Sequence, residues 1–436
     1  MKAILGFTLI GTLLLSCNYD PHKQTDTDLL RSYCTISTDT AYSNGEWVWK
    51  LIPDSVFDNK QIIACGQSTH GSRENFLIQT SIFKKLVQEK GVRVFVLEAA
   101  YSDILEVNDY VTTGVGIKDS IATNLTFDIW KKEEMLELIE WVREFNLTRT
   151  EDDKILFLGC SVQEVDITID AVKTFFGMFY PEDKNQVEQI LVSFNKDSVL
   201  KNMSNPDETV RLLKSKIDEL RLLATTMPEL PDSNERIGYL LYKRSIDLLD
   251  QILASIDQSR SERRGDGDSI MAVNLKWIVD NHFRQGPVFL WAHNMHITFE
   301  EPDYSKEKLL GMYLYEAYGD DYYSIGIDFI SGSIRTQTTY HDSTPDLTKV
   351  IPVAESDSAY LNYYISNLNG GLVLFRYDQA RKDSLFLNST LFWNGHKIHN
   401  LGVVFGGNGL NLNAHYFNSI IFYPHATPTR QIEKGR

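Results

Sequence analysis

Short apolar runs that are continuous, rather than alternating with polar residues, constrain the fold of this chain most strongly. Strands with apolar residues on both sides belong to sheets that are covered on both faces. Helical patterns lie between several of the runs, and the clearest covers residues 76–90. The pattern predicts a three-layer α/β/α domain with a mostly parallel or mixed central sheet. The predicted strands are Ile62–Cys65, Val92–Leu97, Ile155–Leu158, Val288–Trp291, Tyr323–Ile327, Leu372–Phe375 and Ser419–Tyr423.

Residues 166–262 have a different character, with long amphipathic stretches at helical spacing and no strand pattern. We interpret them as a helical insertion that covers one end of the sheet. Only its exit, at about 259–269, has the Gly, Ser and charged composition of a linker, so a separate domain is the less favoured alternative. Residues 31–436 are therefore predicted to form one domain with a helical subdomain.

The first residues have the pattern of an export signal. Lys2 precedes an apolar run over residues 3–15, which is too short to span a bilayer. The run ends in Leu-Leu-Ser-Cys, which resembles a bacterial lipobox and predicts removal of residues 1–16 and acylation of Cys17. An ordinary secretory peptide with a chance cysteine and an uncleaved anchor are the alternatives. The polar residues 17–30 are predicted to be a tether, which would place the domain at the cell envelope, on the periplasmic or surface face of an outer membrane.

Charge and cysteine content restrict the possible partners. The chain has a net charge of −16, whereas binding of nucleic acid requires clustered Lys and Arg. Nucleic acid is therefore not an expected partner, and contact with a membrane is expected through the lipid anchor alone. Apart from Cys17, the cysteines are Cys34, Cys65 and Cys160, which give no complete disulfide set.

Polar residues follow three of the predicted strands at the point where each strand ends. His70 comes shortly after Cys65, Glu98 directly follows Leu97, and a His-Asn-Met-His segment with His293 and His296 follows Trp291. In open α/β sheets, ligands bind in the crevice outside the carboxyl ends of the strands. Each residue alone could be structural, but together they predict one convergent site.

Three kinds of chemistry could use these residues. A serine hydrolase needs the Gly-x-Ser-x-Gly elbow, but His70 stands where the second glycine would follow Ser68. A zinc site built from His70, Glu98, His293 and His296 is conceivable, although the chain contains no His-Glu-x-x-His motif. The remaining option is general-base catalysis, in which an imidazole takes a proton from water.

Three sequence blocks carry a family resemblance. They are Gly66-Gln67-Ser68-Thr69-His70-Gly71-Ser72-Arg73-Glu74, Val94-Phe95-Val96-Leu97-Glu98-Ala99 and Trp291-Ala292-His293-Asn294-Met295-His296-Ile297. With them the chain resembles the erythromycin esterase family, from about Trp47 to Tyr423. The combination of the His-Gly block with the His-Asn-x-His block is specific to that family.

The resemblance implies an α/β fold with a helical subdomain and a cleft that holds the site. It also implies metal-independent and cofactor-independent ester hydrolysis, best known on the macrolactone of erythromycin-type antibiotics and hence linked to antibiotic resistance. By position, His70 would be the general base that activates water, and Glu98 and His293 its orienting and charge-stabilising partners. Glu74 and His296 would line the same pocket.

Two positions depart from the family pattern. The family usually has Glu at the position of Gln67 and Arg at the position of Gln79. One negative and one positive charge are thus replaced by two amides, which keeps the charge balance, whereas a buried Glu without its Arg would be costly. We expect a divergent pocket in which these two amides lie close together, and poor activity on macrolides.

The sequence leaves three functional alternatives. The first is a lipid-anchored hydrolase that cleaves a small-molecule ester or lactone by water that His70 activates. The second is a non-catalytic lipoprotein of the same fold that binds a small molecule such as haem. The third is a metal-dependent hydrolase that uses His70, Glu98 and His293.

Overall fold

The structure is a computed structural model of the chain. It describes residues 21–38, 42, 45–162, 165–194, 206–225, 233–259, 266–300, 308–336, 349–389, 391–392, 397–399 and 412–432. The predicted signal peptide 1–16 and the predicted acylation site Cys17 lie outside the described residues.

A mixed sheet forms the centre of the molecule. The strands are β1 (Cys34–Ser37), β2 (Ile62–Cys65), β3 (Val94–Ala100), β4 (Leu156–Ser161), β5 (Val288–Trp291), β6 (Tyr322–Thr336), β7 (Lys349–Val353), β8 (Leu372–Phe375), β9 (Lys397–Ile398), β10 (Leu412–Asn413) and β11 (Ser419–Ala426). Their order in the sheet is β1-β8-β11-β6-β2-β5-β3-β4, with β7 paired to the far end of β6, while β9 and β10 form a separate pair. From β11 to β4 all neighbours are parallel, and β8 is antiparallel to both β1 and β11.

Helices cover both faces of this sheet. The α-helices among the described residues are α1 (Pro21–Arg31), α2 (Val48–Leu51), α3 (Arg73–Glu89), α4 (Tyr101–Thr113), α5 (Lys118–Thr123), α6 (Glu133–Asn146), α7 (Val165–Phe179), α8 (Lys184–Leu191), α9 (Pro206–Leu223), α10 (Ser233–Ser259), α11 (Asp266–Asp280), α12 (Leu310–Tyr318), α13 (Leu361–Ile365), α14 (Tyr377–Ala380) and α15 (Ser384–Leu387). The arrangement confirms the predicted three-layer α/β fold.

The central strands are buried on both sides because their side chains alternate between two apolar clusters. In β2, Ile62 and Ala64 belong to one cluster, and Ile63 and Cys65 belong to the other. Successive side chains of a strand point to opposite faces, so a strand between two helical layers needs apolar residues at every position. This is the physical reason for the continuous apolar runs in the sequence.

Between β4 and β5 the described elements are all helical, namely α7, α8, α9, α10 and α11. Their apolar side chains share one cluster with the face of the sheet that carries Ile62 and Ala64. The hydroxyl of Tyr101 in α4 also donates to the carbonyl of Leu241 in α10 over 3.2 Å. The helical segment therefore packs onto the sheet and shares its core.

The prediction of a tether is wrong for residues 21–30, which belong to helix α1. Leu30 is fully buried, and Asp26 and Thr27 are also buried. The sequence does not indicate this helix, because its apolar residues stand only at its end and no helical periodicity is visible. Within the described ranges, no helix has the length and apolarity needed to cross a membrane.

Candidate functional site

Three neighbouring parallel strands bring the expected site residues together. Strand β5 lies between β2 and β3, and Trp291 at its end is in register with both Cys65 and Leu97. The segments that follow these three residues therefore leave the sheet at the same edge. They place His70, Glu98, His293 and His296 in one group at the carboxyl ends of the strands, as the sequence predicts.

The loop after β2 needs its glycines because a side chain approaches one of them closely and a backbone segment approaches the other. A Cβ atom on Gly66 would lie 2.2 Å from Oδ1 of Asn294, and one on Gly71 would lie 1.8 Å from the carbonyl oxygen of Arg335. Asn294 is held at this point because its amide bonds both the N–H and the carbonyl of Ile327 in β6. These contacts fix the loop on which His70 stands.

His70 is buried at the centre of the group. Its ring lies 5.3 Å from that of His293 and 5.5 Å from that of Trp130, both between ring centroids, and is nearly perpendicular to the ring of Trp130. Burial lowers the pKa of His70 to about 4, although the negative charge of Glu98 opposes this shift. The imidazole is therefore neutral near pH 7.

The partner of His70 at Nδ1 is the amide of Gln67. Nε2 of Gln67 lies 2.6 Å from Nδ1, while Oε1 of Gln67 accepts from Nε1 of Trp291 over 3.1 Å. Because an indole N–H can only donate, it holds the amide oxygen on its side and turns the amide nitrogen towards His70. In this arrangement Nδ1 accepts, and the single proton of the neutral ring is on Nε2.

Gln79 lies beside Gln67, as the sequence predicts for the two substituted positions. Both side chains are fully buried, and an amide atom of Gln79 lies 3.4 Å from Oε1 of Gln67. The amide orientation that satisfies both ends of Gln79 donates to the carbonyl of Cys65 over 2.8 Å and accepts from Nε1 of Trp291 over 2.9 Å. The indole N–H of Trp291 thus has two amide oxygens within reach.

His293 has both ring nitrogens occupied by the main chain. Nδ1 accepts from the N–H of Met295, and Nε2 faces the carbonyl oxygen of Ser68, each over 3.3 Å. Burial, and the nearby ring of His70, lower the pKa of His293 to about 3. His293 is therefore a second neutral imidazole, with its proton on Nε2.

Glu98 and His296 form a charged pair beside these neutral rings. Glu98 accepts from the main-chain N–H of His293 over 2.6 Å, and its other oxygen lies 3.3 Å from Nε2 of His296. Burial favours the neutral acid, but the charge and hydrogen bond of His296 outweigh it and lower the pKa of Glu98 to about 2. The expectation that Glu98 orients His70 directly is thus corrected, because Gln67 holds Nδ1 of His70.

Asp268, at the start of α11, adds a second carboxylate to the pair of Glu98 and His296. Its Oδ1 lies 2.8 Å from Nδ1 of His296 and also accepts from the N–H of Leu310. Burial disfavours an imidazolium, yet Glu98 and Asp268 together raise the pKa of His296 well above its usual value. His296 is accordingly a cation between two carboxylates.

Glu74 has a different position from the one predicted. Its carboxylate accepts from the hydroxyl of Ser72 over 3.0 Å and from both the N–H and the hydroxyl of Thr427, the N–H over 2.6 Å. These bonds join the first turn of α3 to the segment after β11. The contacts of Glu74 are structural, and the prediction that it lines the pocket is not supported by them.

Three residues of the group were missed by the sequence interpretation. Asp268 lies in the segment taken for a linker. Trp130 packs against His70 with its ring nearly perpendicular to the imidazole, and it donates from Nε1 to the main-chain carbonyl of Glu98. Lys132 is buried, and burial lowers its pKa to about 8. Its positive charge acts to lower the pKa of His70, but Lys132 directly precedes helix α6 and follows no strand, so the sequence gives no signal that places it here.

The geometry is suited to proton transfer rather than to metal binding. Both nitrogens of His293 face main-chain groups, and both nitrogens of His296 face carboxylates, so neither ring offers a free lone pair. No group of three or more His, Cys, Asp or Glu residues in the described part of the chain is arranged to hold a metal ion. What remains is a neutral imidazole, His70, next to a fixed carboxylate.

The fold and site define a class of α/β protein in which histidines from neighbouring strand ends form a buried group with a carboxylate. Sequence comparison identifies the family, since the family model described as erythromycin esterase matches residues 87–390. This chain belongs to the erythromycin esterase family, and this membership supports hydrolase activity.

Individual relatives are distant in sequence and close in fold. Erythromycin esterase type II from Escherichia coli is 24% identical over 319 residues, which are 67% of this chain and 74% of that protein. A crystal structure of a Bacillus cereus protein matches 95% of this chain and 100% of its own, with a TM-score of 0.76 and 19% identity. The structure of a mutant of the erythromycin esterase EreC, in its open conformation, matches with a TM-score of 0.61 and 14% identity over 90% of this chain and 98% of its own.

Proposed function

We propose that this protein is a lipid-anchored hydrolase that cleaves a small-molecule carboxylic ester or lactone, without a metal ion, by attack of water that His70 activates. The observation that carries the proposal is the buried, neutral imidazole of His70 in the field of the Glu98 carboxylate. It lies at the carboxyl edge of the sheet in a chain of an esterase family.

The reaction needs one proton acceptor and one charge stabiliser. Nε2 of His70 takes a proton from water as the water oxygen bonds to the carbonyl carbon of the substrate. The bond from that carbon to the leaving oxygen then breaks, and the imidazolium returns the proton to the leaving oxygen. Glu98 favours the transient imidazolium because its charge acts to raise the pKa of His70 against the effect of burial.

This role requires the other tautomer of His70, with the proton on Nδ1. Rotation of the Gln67 amide would turn Oε1 towards Nδ1 and leave Nε2 of the ring free to accept. Trp291 would lose its bond to Gln67 but would keep an acceptor, because Oε1 of Gln79 lies 2.9 Å away in the orientation that satisfies Gln79. The two amides would then select the tautomer, which a fixed Glu–Arg pair could not do.

A second candidate function, of a different class, follows from the orientation of Gln67. While its amide nitrogen donates to Nδ1, His70 carries its proton on Nε2, where the ring can donate to a ligand but cannot accept from water. A protein fixed in that state would bind a small molecule with a carbonyl oxygen and release it unchanged.

Turnover of a panel of esters separates the two functions. We expect hydrolysis of 4-nitrophenyl acetate and of a simple lactone above the rate in buffer, and poor cleavage of erythromycin because Gln67 and Gln79 replace a charged pair. Absence of turnover on every ester and lactone of the panel, with the protein folded by circular dichroism, would contradict the hydrolase and leave the binding function.

The anchor is tested separately from the chemistry. Cys17→Ala in the full chain should move the protein from the membrane fraction to the soluble fraction, because acyl chains on Cys17 are the proposed attachment. Cys34→Ala, in which a described free cysteine is replaced, is the matched control and should stay with the membrane. A Cys17→Ala protein that still sediments with membranes rules out the acyl anchor.

A further inference from the structure

A second group of polar side chains lies on the neighbouring strand β6, just beyond Ile325, which is in register with the last residue of β2. Asp328 follows Ile327, the residue whose main chain is bound by Asn294, and its carboxylate is fully buried. Oδ1 accepts from the N–H of Phe329 over 2.8 Å, and Oδ2 accepts from the amide of Asn362 over 2.9 Å and from the N–H of His399 over 2.8 Å. These donors hold the carboxylate in one orientation.

The ring of His399 bonds this carboxylate through Nδ1. The distance from Nδ1 to Oδ1 of Asp328 is 3.0 Å, and because a carboxylate only accepts, the ring proton is on Nδ1. The ring is held between Phe329 and Tyr360, with centroids 5.3 Å from each and interplanar angles of 30° and 33°. Its orientation and its tautomer are therefore both fixed.

The free nitrogen of His399 meets a serine hydroxyl. Nε2 lies 2.8 Å from Oγ of Ser356, and in the neutral ring, which has its proton on Nδ1, this nitrogen accepts from the hydroxyl. Ser356 is half-exposed, whereas His399 and Asp328 are buried. The order is thus an accessible hydroxyl, a fixed imidazole that can take its proton, and a buried carboxylate that can stabilise the imidazolium.

We propose that Ser356, His399 and Asp328 form a second catalytic site, in which Ser356 is a nucleophile towards carboxylic esters with a small acyl group. A cavity of about 210 Å³ adjoins these segments, lined by Glu355, which precedes Ser356, by Ile330, two residues after Asp328, and by Tyr423. Ser356, His399 and Asp328 do not themselves line this cavity, and it is through Glu355 that it adjoins the nucleophile; its volume would limit an acyl group placed there to a small one. The site shares no residue with the group around His70 and goes beyond the function proposed for it.

The chemistry is a two-step acyl transfer. Oγ of Ser356 bonds to the carbonyl carbon of the ester while its proton passes to Nε2 of His399. The bond from that carbon to the leaving alkoxide oxygen breaks, and His399 gives its proton to that oxygen, which leaves an acyl ester on Ser356. Water then attacks the acyl ester with His399 again as base, and the acid and the free serine are regenerated.

A fluorophosphonate probe tests the nucleophile directly, because it forms a stable bond to serines that a histidine activates. The full-length protein is treated with the probe, digested and analysed by mass spectrometry for the labelled residue. We expect the label on Ser356, its loss in Ser356→Ala, and a labelling rate lower by roughly 100-fold or more in His399→Gln. Ser358→Ala, which removes an exposed serine two residues away, is the matched control and should label as the wild type does.

Labelling of two further variants separates this proposal from the function proposed for His70 and from a failure of His399→Gln to fold. His70→Ala should label at the wild-type rate, so failure of the hydrolase proposed above would leave this result unchanged. Asp328→Asn, which keeps the shape of the side chain, should slow labelling if His399→Gln does not fold. Labelling of Ser356 no faster than in urea-unfolded protein, or a rate unaffected by both His399→Gln and Asp328→Asn, overturns the proposal.

Discussion

Two buried histidines at the same edge of the sheet have opposite electrostatic properties. His70, after β2, meets the amide nitrogen of Gln67 at Nδ1, whereas His399 meets the carboxylate of Asp328 at the same ring atom. Burial lowers the pKa of His70 to about 4. Burial also acts to lower the pKa of His399, but Asp328 outweighs it and the pKa of His399 is raised. The two rings are both desolvated, so the difference shows that a charged partner at Nδ1 can reverse the effect of burial on a histidine, whereas a neutral amide leaves that effect in place.

The pair His296 and Glu98 extends this comparison. His296 has carboxylates at both ring nitrogens and is a cation, although it lies in the same group as the neutral His70 and His293. Of the three histidines within one site, two are therefore neutral and one is charged, because only His296 has carboxylates as its immediate partners. Glu98 contacts the His296 cation directly, whereas it acts on His70 through its electric field.

Removal of the neutral ring should have the largest effect on activity. In a Ser356→Ala background, which silences the proposed second site, His70→Ala should lower the rate of ester hydrolysis roughly 10²- to 10⁴-fold, the usual contribution of a general base. His425→Ala, at an exposed position, is the control and should leave the rate unchanged. Equal rates in the two variants would show that His70 is not the base.

Conversion of the amide partner into a carboxylate should make His70 resemble His399. Gln67→Glu places a charge at a fully buried position and should lower the free energy of unfolding by roughly a few kcal/mol. It should also raise the pKa of His70. Addition of Gln79→Arg should recover much of the stability, and a double-mutant cycle in urea should give a favourable coupling.

The matched control for this cycle is Gln88→Glu, at an exposed position of the same helix α3, which should change the stability little. Strictly additive effects of Gln67→Glu and Gln79→Arg on the free energy of unfolding would show that the two side chains are not coupled, although their amides are 3.4 Å apart in the structure.

The pH profile measures the neutral ring without a mutation. His70 acts as base only when it is deprotonated, and burial lowers its pKa to about 4, so activity should rise with pH through about 4 and stay level near pH 7. The Ser356→Ala background keeps the second site out of the profile. An inflection at or above the ordinary histidine value of about 6.5 would mean that the ring is not desolvated as described.

A chelator should have the smallest effect. The nitrogens of His293 and His296 are bonded to main-chain groups and carboxylates, so we expect no change in turnover with excess EDTA. Loss of activity on chelation, restored by zinc, would instead favour a metal-dependent hydrolase and require these contacts to open.

The sequence predicts the central strands of the sheet, which are buried on both faces. Strands such as Ile62–Cys65 and Val288–Trp291 were found at their true bounds because a strand covered on both faces must be apolar throughout. The edge strand β1 is only half-buried, so it has no continuous apolar run and was missed. Helix α1 has the composition of a polar tether, because its apolar residues stand only at its end, and the sequence therefore does not predict a helix there.

The same contrast holds for the sites. His70, Glu98 and His293 could be found because each follows a strand that the sequence marks clearly, and the register of β2, β5 and β3 brings them together. Asp268 and His399 reach their partners from segments with no strand pattern. Their positions depend on tertiary packing of helix α11 and of the short strand β9, for which local sequence gives no signal.

Nuclear magnetic resonance of the protein labelled with ¹⁵N at histidine tests the difference between the two rings most directly. His70→Ala and His399→Gln assign the two rings, and the ring nitrogens are followed from pH 3.5 to 9. We expect His70 to stay neutral until the pH falls to about 4, with its resting proton on Nε2, and His399 to keep both ring protons up to a pH above its ordinary pKa value of about 6.5. Titration of both rings together near 6.5, or of His70 at a higher pH than His399, would contradict it.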